Sequence, residues 1–101
     1  MEFSDLKPGE IARAAQMIKA ISHPMRLRIL GYLDDGKKLT VTEIHSLLGI
    51  EQSSASHHLG ILKDKLILDS VRQGKNTYYF LKRKNLSKLI QCISECACTD
   101  E

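Results

Sequence analysis

Tryptophan is absent from this 101-residue chain, and phenylalanine and tyrosine together number five. So few rings leave little material to line a deep ligand pocket. Two prolines and six glycines are too few for a collagen-like or low-complexity chain. No stretch approaches the roughly 18 uncharged apolar residues that a membrane span needs. The first residues, Met1-Glu2-Phe3-Ser4-Asp5, are acidic and precede no apolar h-region, so no secretory signal is expected and the expected compartment is the cytosol. Cysteine is scarce and clustered: Cys92, Cys96 and Cys98 all lie in the last ten residues. A disulfide framework needs an even, dispersed set, so free thiols are expected. Catalytic constellations are missing too. No glycine-rich phosphate loop follows a strand, no paired carboxylates bracket a cleft, and no nucleophile–base–acid set can be assembled, which argues against an enzyme.

What remains is enough for one domain spanning residues 1–101, with 43% hydrophobic and 27% charged residues. A single domain typically runs to roughly 100–150 residues. The net charge of +3 conceals an asymmetry. Residues 1–25 and 26–60 are each neutral, 61–91 carry eight basic and two acidic groups, and 92–101 carry three acidic groups and no basic one. A basic segment inside a neutral chain is the electrostatic footprint of a polyanion-binding surface, because each Lys or Arg beside a phosphate releases a condensed counterion. A solvated lysine-rich surface is the alternative that charge alone leaves open.

Hydrophobic spacing supplies the architecture. Pro8 suits a first helical turn, and Ile11, Ala14, Ala15, Ile18 and Ile21 follow at helical spacing, which predicts a helix over 9–21 whose apolar stripe needs a partner. Ser22-His23 offers a break and a cap. Pro24 opens a second helix with Met25, Ile29, Leu30 and Leu33 inward, ended by Asp34-Asp35-Gly36; Arg26 and Arg28 fall on its other side as surface or ion-pairing groups. Thr40-Val41-Thr42-Glu43 reads as a capping box ahead of a short helix with Ile44, Leu47 and Leu48 inward and Gly49 as its left-handed stop. Ser53 is the expected cap of a fourth helix, which carries Leu59 and Leu62 to about Lys63 or Asp64. Two short helices joined by a tight glycine-containing turn, over 41–64, form a helix-turn-helix pattern.

The period then changes to that of strands. Ile67–Arg72 and Thr77–Leu81 flank Gln73-Gly74-Lys75-Asn76, which predicts a β-hairpin over 67–81. A last helix over 85–97 aligns Leu86, Leu89, Ile90, Ile93 and Ala97. The expected fold is therefore mainly α with a β-hairpin wing: four helices, two strands and a fifth helix, a winged helix-turn-helix. In that arrangement the fourth helix enters the major groove and the hairpin tip lies along the backbone beside it. Gln52, Ser53, Ser54, Ser56 and His57 occupy the N-terminal part of the reading helix, where side chains meet base edges and phosphates. Gln pairs bidentately with adenine, and Ser serves base or phosphate. His58 either leans on the backbone or fills space beside Leu59. Arg72, Lys75, Asn76 and Tyr78 are the expected wing contacts, which add affinity and salt dependence more than sequence choice.

Three stretches then resemble a known family. Ser22-His23-Pro24-Met25-Arg26-Leu27-Arg28-Ile29-Leu30, Ser53-Ser54-Ala55-Ser56-His57-His58-Leu59-Gly60-Ile61-Leu62 and Gly74-Lys75-Asn76-Thr77-Tyr78-Tyr79 are similar, in order, to signatures of the ArsR/SmtB-type winged helix repressors of bacteria. The resemblance covers about Ile11 to Cys96. It implies a homodimer whose first and last helices, 9–21 and 85–97, form the interface, and release of operator DNA by a metal ion or another inducer. It also implies a left-handed residue before the wing, where the family has glycine and this chain is read as having Lys65. The family's metal ligands are not reproduced. Its third-helix site needs cysteines where this chain has Val41, Thr42, Glu43 and His45, and its last-helix site maps onto Arg83, Asn85, Cys96 and Thr99.

The thiols are the remaining constellation. Cys92 and Cys96 are i, i+4 neighbours, and Cys98 lies in a tail that could fold back. Three soft thiolates suit a thiophilic metal or metalloid such as trivalent arsenic, or Zn²⁺ with a fourth ligand from elsewhere. The alternatives are small hydrophobes packed at a dimer interface and a thiol redox switch. His23, His45, His57 and His58 contain no i, i+4 pair, so a site made of them alone is not expected. The functional reading is a DNA-binding transcriptional repressor; its rival is a winged protein-interaction module that never touches DNA.

Overall fold

Pro8 does open the first helix, α1 (Pro8–Ile21), and Pro24 the second, α2 (Pro24–Tyr32). The computed structural model describes residues 2–98. His23 caps α2 through its ring, Nδ1 accepting from the Met25 amide at 3.1 Å. A 3₁₀ turn, Asp34–Gly36, ends that helical pair. Strand β1 (Leu39–Thr40) leads straight into α3 (Val41–Leu48). The capping box forms as expected: the Glu43 amide donates to Thr40 Oγ1 at 3.1 Å, and Glu43 Oε1 accepts from the Thr40 amide at 2.9 Å. After α4 (Gln52–Asp64) come β2 (Leu68–Gln73), β3 (Asn76–Leu81) and α5 (Leu86–Cys98).

The wing is a three-stranded antiparallel sheet in the order β1-β3-β2. Leu68 pairs with Leu81, Val71 with Tyr78 and Gln73 with Asn76, leaving Gly74-Lys75 as a two-residue turn. Only the first central residue, Gly74, has a positive φ (64°), the requirement of a type II′ turn. The short edge strand β1, pairing Leu39 with Tyr79 and Thr40 with Tyr78, was not foreseen. Two residues are too few to show an alternation.

Two helices end in the same device. At the end of α3 the Ile50 amide reaches back to His45 O and the Gly49 amide to Ser46 O; at the end of α4 the Ile67 amide reaches Leu62 O and the Leu66 amide Lys63 O. Both are Schellman motifs, which need a left-handed residue just past the helix. In α3 that residue is Gly49 at φ 68°; in α4 it is Leu66 at φ 64°. The expectation that Lys65 carries the left-handed conformation is thus wrong by one position: Lys65 sits at φ −91°, ψ 14°. The register is held by Leu62 and Ile67, the apolar pair that such a motif brings together, and both are fully buried.

The core is built from α2, α3, α4 and the wing, around Ile29, Leu30, Leu33, Ile44, Leu48, Leu59, Leu62, Ile67 and Leu68. The outer helices contribute little to it. α1 buries only Ala20 and α5 no residue completely, while Ile11 (47% exposed), Ile18 (59%), Leu89 (43%) and Ile93 (42%) face solvent. Cys98 is part of α5 rather than of a tail beyond it. Among the described residues no helix is long and apolar enough to cross a membrane.

Candidate nucleic-acid interface

α4 is amphipathic in a particular way. Ala55, Leu59 and Leu62 bury one side, and the helical period then turns Ser53, Ser56, His57 and Gly60 outward, with Gln52 and Ser54 exposed at the helix start. The outward stripe is made mostly of short side chains. Gly60 stands in the middle of the helix, and a Cβ built there would meet nothing within 4 Å, so no packing within the chain requires glycine at this position. A helix with such a stripe can approach a groove wall closely.

Side-chain hydrogen bonds brace the turn before α4 and tie its last turn to the wing. The His45 ring lies with Nδ1 3.1 Å from Ile50 O; a carbonyl can only accept, so Nδ1 carries the proton and the ring pins the turn. At the other end Lys63 Nζ donates to Ser70 Oγ at 2.7 Å, tying the helix to β2. Sequence reasoning assigned neither role, because both depend on partners that only the folded chain brings near.

Ser53 is not the cap of α4. The capping position falls on Glu51, whose side chain makes no capping bond, so the Ser53 hydroxyl belongs to the outward stripe. His58 does not join that stripe. It is half-buried and turned toward α2, where its Nδ1 accepts from Arg26 Nε at 3.2 Å. Arg26 therefore does not sit on the outer side of α2 as expected. Burial, followed by the neighbouring charges of His23, Arg26 and His57, pushes the pKa of His58 below the ordinary imidazole value.

In the wing, Arg72, Lys75 and Asn76 are exposed at the tip, and Arg72 Nε donates to Gly74 O across the turn at 3.4 Å. Tyr78 is two residues farther along β3, half-buried and opposite both Thr40 and Val71. It stands in the middle of the wing rather than at its tip. Lys82, Arg83 and Lys84, just after β3, are exposed and extend the basic surface.

The donor chemistry does not fit the family's metal sites. The start of α3 offers Val41 and Thr42 where thiolates are needed, and Arg83, a cation, occupies one ligand position before α5. Thr99 lies outside the described residues. Among the described residues no group of three His, Cys, Asp or Glu side chains is placed to hold a metal. All three thiols are free and exposed. By helical period Cys92 and Cys96 share the exposed face of Leu89 and Ile93, while Cys98 points to the opposite side.

Comparison with known proteins agrees with this geometry. A model of a helix-turn-helix domain matches residues 21–71. The transcriptional repressor PagR of Bacillus anthracis is 35% identical over 80 residues, covering 79% of this chain and 80% of that protein. The HTH-type transcriptional regulator YgaV of Escherichia coli (strain K12) is 30% identical over 86 residues, covering 85% and 87%. Among solved structures, the homodimeric winged helix-turn-helix DNA-binding domain (fragment 1–100) of Mb0332 from Mycobacterium bovis, a possible ArsR-family regulator, superimposes with a TM-score of 0.82. It is 27% identical, and the match covers 96% of this chain and 89% of that one.

Proposed function

Because the chain belongs to the ArsR/SmtB-type family of winged helix-turn-helix transcriptional regulators, we propose that it is a homodimeric repressor whose two α4 helices enter successive major-groove half-sites of a roughly palindromic operator. The observation that carries this reading is α4 itself. Its inner face is locked into the core, both its ends are fixed by hydrogen bonds, and its outer face offers Gln52, Ser53, Ser54, Ser56 and His57 beside a basic wing.

Gln52 and Ser54 read base edges, the former with the bidentate geometry suited to adenine. Ser53, Ser56 and His57 serve base or phosphate, and Arg72, Lys75 and Asn76 hold the backbone. The dimer is built on α1 and α5, which leave Ile11, Ile18, Leu89 and Ile93 exposed on the protomer. Pairing of these helices also covers Cys92 and Cys96, which thereby act as small hydrophobes. The protein acts in the cytoplasm, where its operator is.

The test separates readers from anchors. In fluorescence anisotropy against a panel of single-base operator variants, Gln52→Ala and Ser54→Ala change the order of preference. Lys75→Ala weakens every duplex alike and lowers the slope of log affinity against log salt by about 1. Uniform loss from all three contradicts the assignment of readers, and failure of the wild type to bind any duplex favours a protein-interaction module.

A further inference from the structure

Arg26 joins three elements through one guanidinium. It stands in the first turn of α2, half-buried, and donates from Nη1 to Ala20 O in the last turn of α1 at 3.0 Å. The residue four positions after Ala20 is Pro24, which has no amide hydrogen to offer that carbonyl. Arg26 supplies the donor that Pro24 lacks. Its Nε meanwhile donates to His58 Nδ1 in the middle of α4 at 3.2 Å. The His58 ring also leans on that of His23, the cap of α2, with centroids 4.8 Å apart, and on that of His57 at 5.8 Å.

Since His58 accepts at Nδ1, its ring is neutral with the proton on Nε2. The ionisable groups facing it are all basic: His23 and Arg26 from the α2 corner and His57 from its own helix. Lys19 of α1 and Lys65 at the end of α4 line the adjoining cleft with Arg26. A proton arriving at Nδ1 removes the acceptor and places a second cation against the guanidinium.

We propose that Arg26 is a positioning residue for operator recognition: its clasp between the end of α1 and His58 sets the angle of α4, and protonation of His58 releases it. The proposal rests on the operator-binding reading, and it links the corner leading to the dimer helix with the helix that reads DNA. The depressed pKa sets the sign. His58 resists protonation in the fold, so the clasp is complete above the ordinary imidazole value of about 6.5 and is lost progressively as pH falls below it.

The experiment uses the full chain and two readouts. The first is anisotropy at constant ionic strength from pH 8 to 5.5, with a fragment the wild type prefers and a random duplex of equal length. Wild-type affinity for the fragment falls on acidification by at most about tenfold at pH 5.5, the ceiling that proton linkage sets for a group titrating below 6.5, while random-duplex binding does not weaken. His58→Asn, whose Oδ1 takes the place of Nδ1 and cannot be protonated there, keeps its affinity at pH 7.5 and loses the acid response. Arg26→Gln and His58→Ala bind the fragment more weakly at pH 7.5 and lose no further affinity in acid. The second readout is independent of DNA: side-chain nitrogen NMR shows His58 protonated on Nε2, with a titration midpoint that rises in Arg26→Gln. An acid response retained by His58→Asn, or wild-type affinity in His58→Ala at pH 7.5, overturns the positioning role. An unmoved His58 midpoint in Arg26→Gln overturns the clasp itself, whatever the outcome with DNA. A wild type without preference for any duplex, but with the NMR behaviour intact, refutes the operator-binding reading and the positioning role together and leaves only the clasp.

Discussion

Gly60→Ala is expected to make the fold more stable and the DNA complex weaker. Gly60 lies inside α4 with helical neighbours on both sides, and the added methyl meets nothing within 4 Å. Nothing offsets the difference in helix propensity, so the variant gains about 0.8–1 kcal/mol. In a domain of this size that corresponds to a rise in melting temperature of about 4–8 °C. On DNA the same methyl stands on the outward stripe between His57 and the wing-proximal end of the helix. If that stripe faces the groove, the methyl enters a packed contact, where overpacking costs about 1–3 kcal/mol, equivalent to a loss of roughly 5- to 150-fold in affinity. Urea unfolding at one fixed protomer concentration gives the first quantity and anisotropy the second. A lowered unfolding midpoint refutes the open helix interior; a raised midpoint with unchanged affinity shows that another face of α4 meets DNA. Position 66 supplies the control of opposite sign. There the φ of 64° makes Ala the worse residue, so Leu66→Gly should be more stable than Leu66→Ala by about 1 kcal/mol.

Two further outcomes follow from the same structure. Ile93→Glu puts a carboxylate on the uncovered apolar face of α5 and is expected to raise the dimer dissociation constant on the order of a hundredfold; sedimentation equilibrium reads this, and an unchanged dimer assigns the interface elsewhere. Thr40→Ala removes one half of the capping box at α3 and should cost about 1 kcal/mol in urea unfolding without changing base preference.

Much of this fold is legible before any coordinates. Pro8 and Pro24, the Thr40–Glu43 pair, Gly49 and the Gly74 turn each mark a boundary through a local constraint, and each boundary falls where its residue demands. The errors share a cause. Ser53 has the chemistry of a cap, but the Schellman turn at Gly49 and the packing of Ala55, Leu59 and Leu62 start the helix earlier, at Gln52, with Glu51 in the capping position. Leu66 takes the left-handed position because burial of Leu62 and Ile67 fixes the register of the helix end, and a leucine has no local preference that announces this. β1 forms only because β3 lies alongside it.

The candidate site divides in the same way. Gln52, Ser53, Ser54, Ser56 and His57 are adjacent in sequence and share one helix, so their common face follows from the helical period. The inward turn of His58 is a matter of tertiary partners: Arg26 is 32 residues away, and no spacing rule connects the two. His45 and Lys63 were missed for the same reason. The sequence could suggest a polar residue there, but not the carbonyl or hydroxyl it meets.

Recognition of a particular DNA sequence by the dimer is measured by competition anisotropy. Labelled fragments from the region upstream of its own coding sequence are titrated with protein at two salt concentrations, with unlabelled random duplex in excess. One fragment is expected to be retained against competitor at about 200 mM salt, with protection in two half-sites about 10 base pairs apart. Binding that is equal for all fragments and vanishes with salt would contradict it.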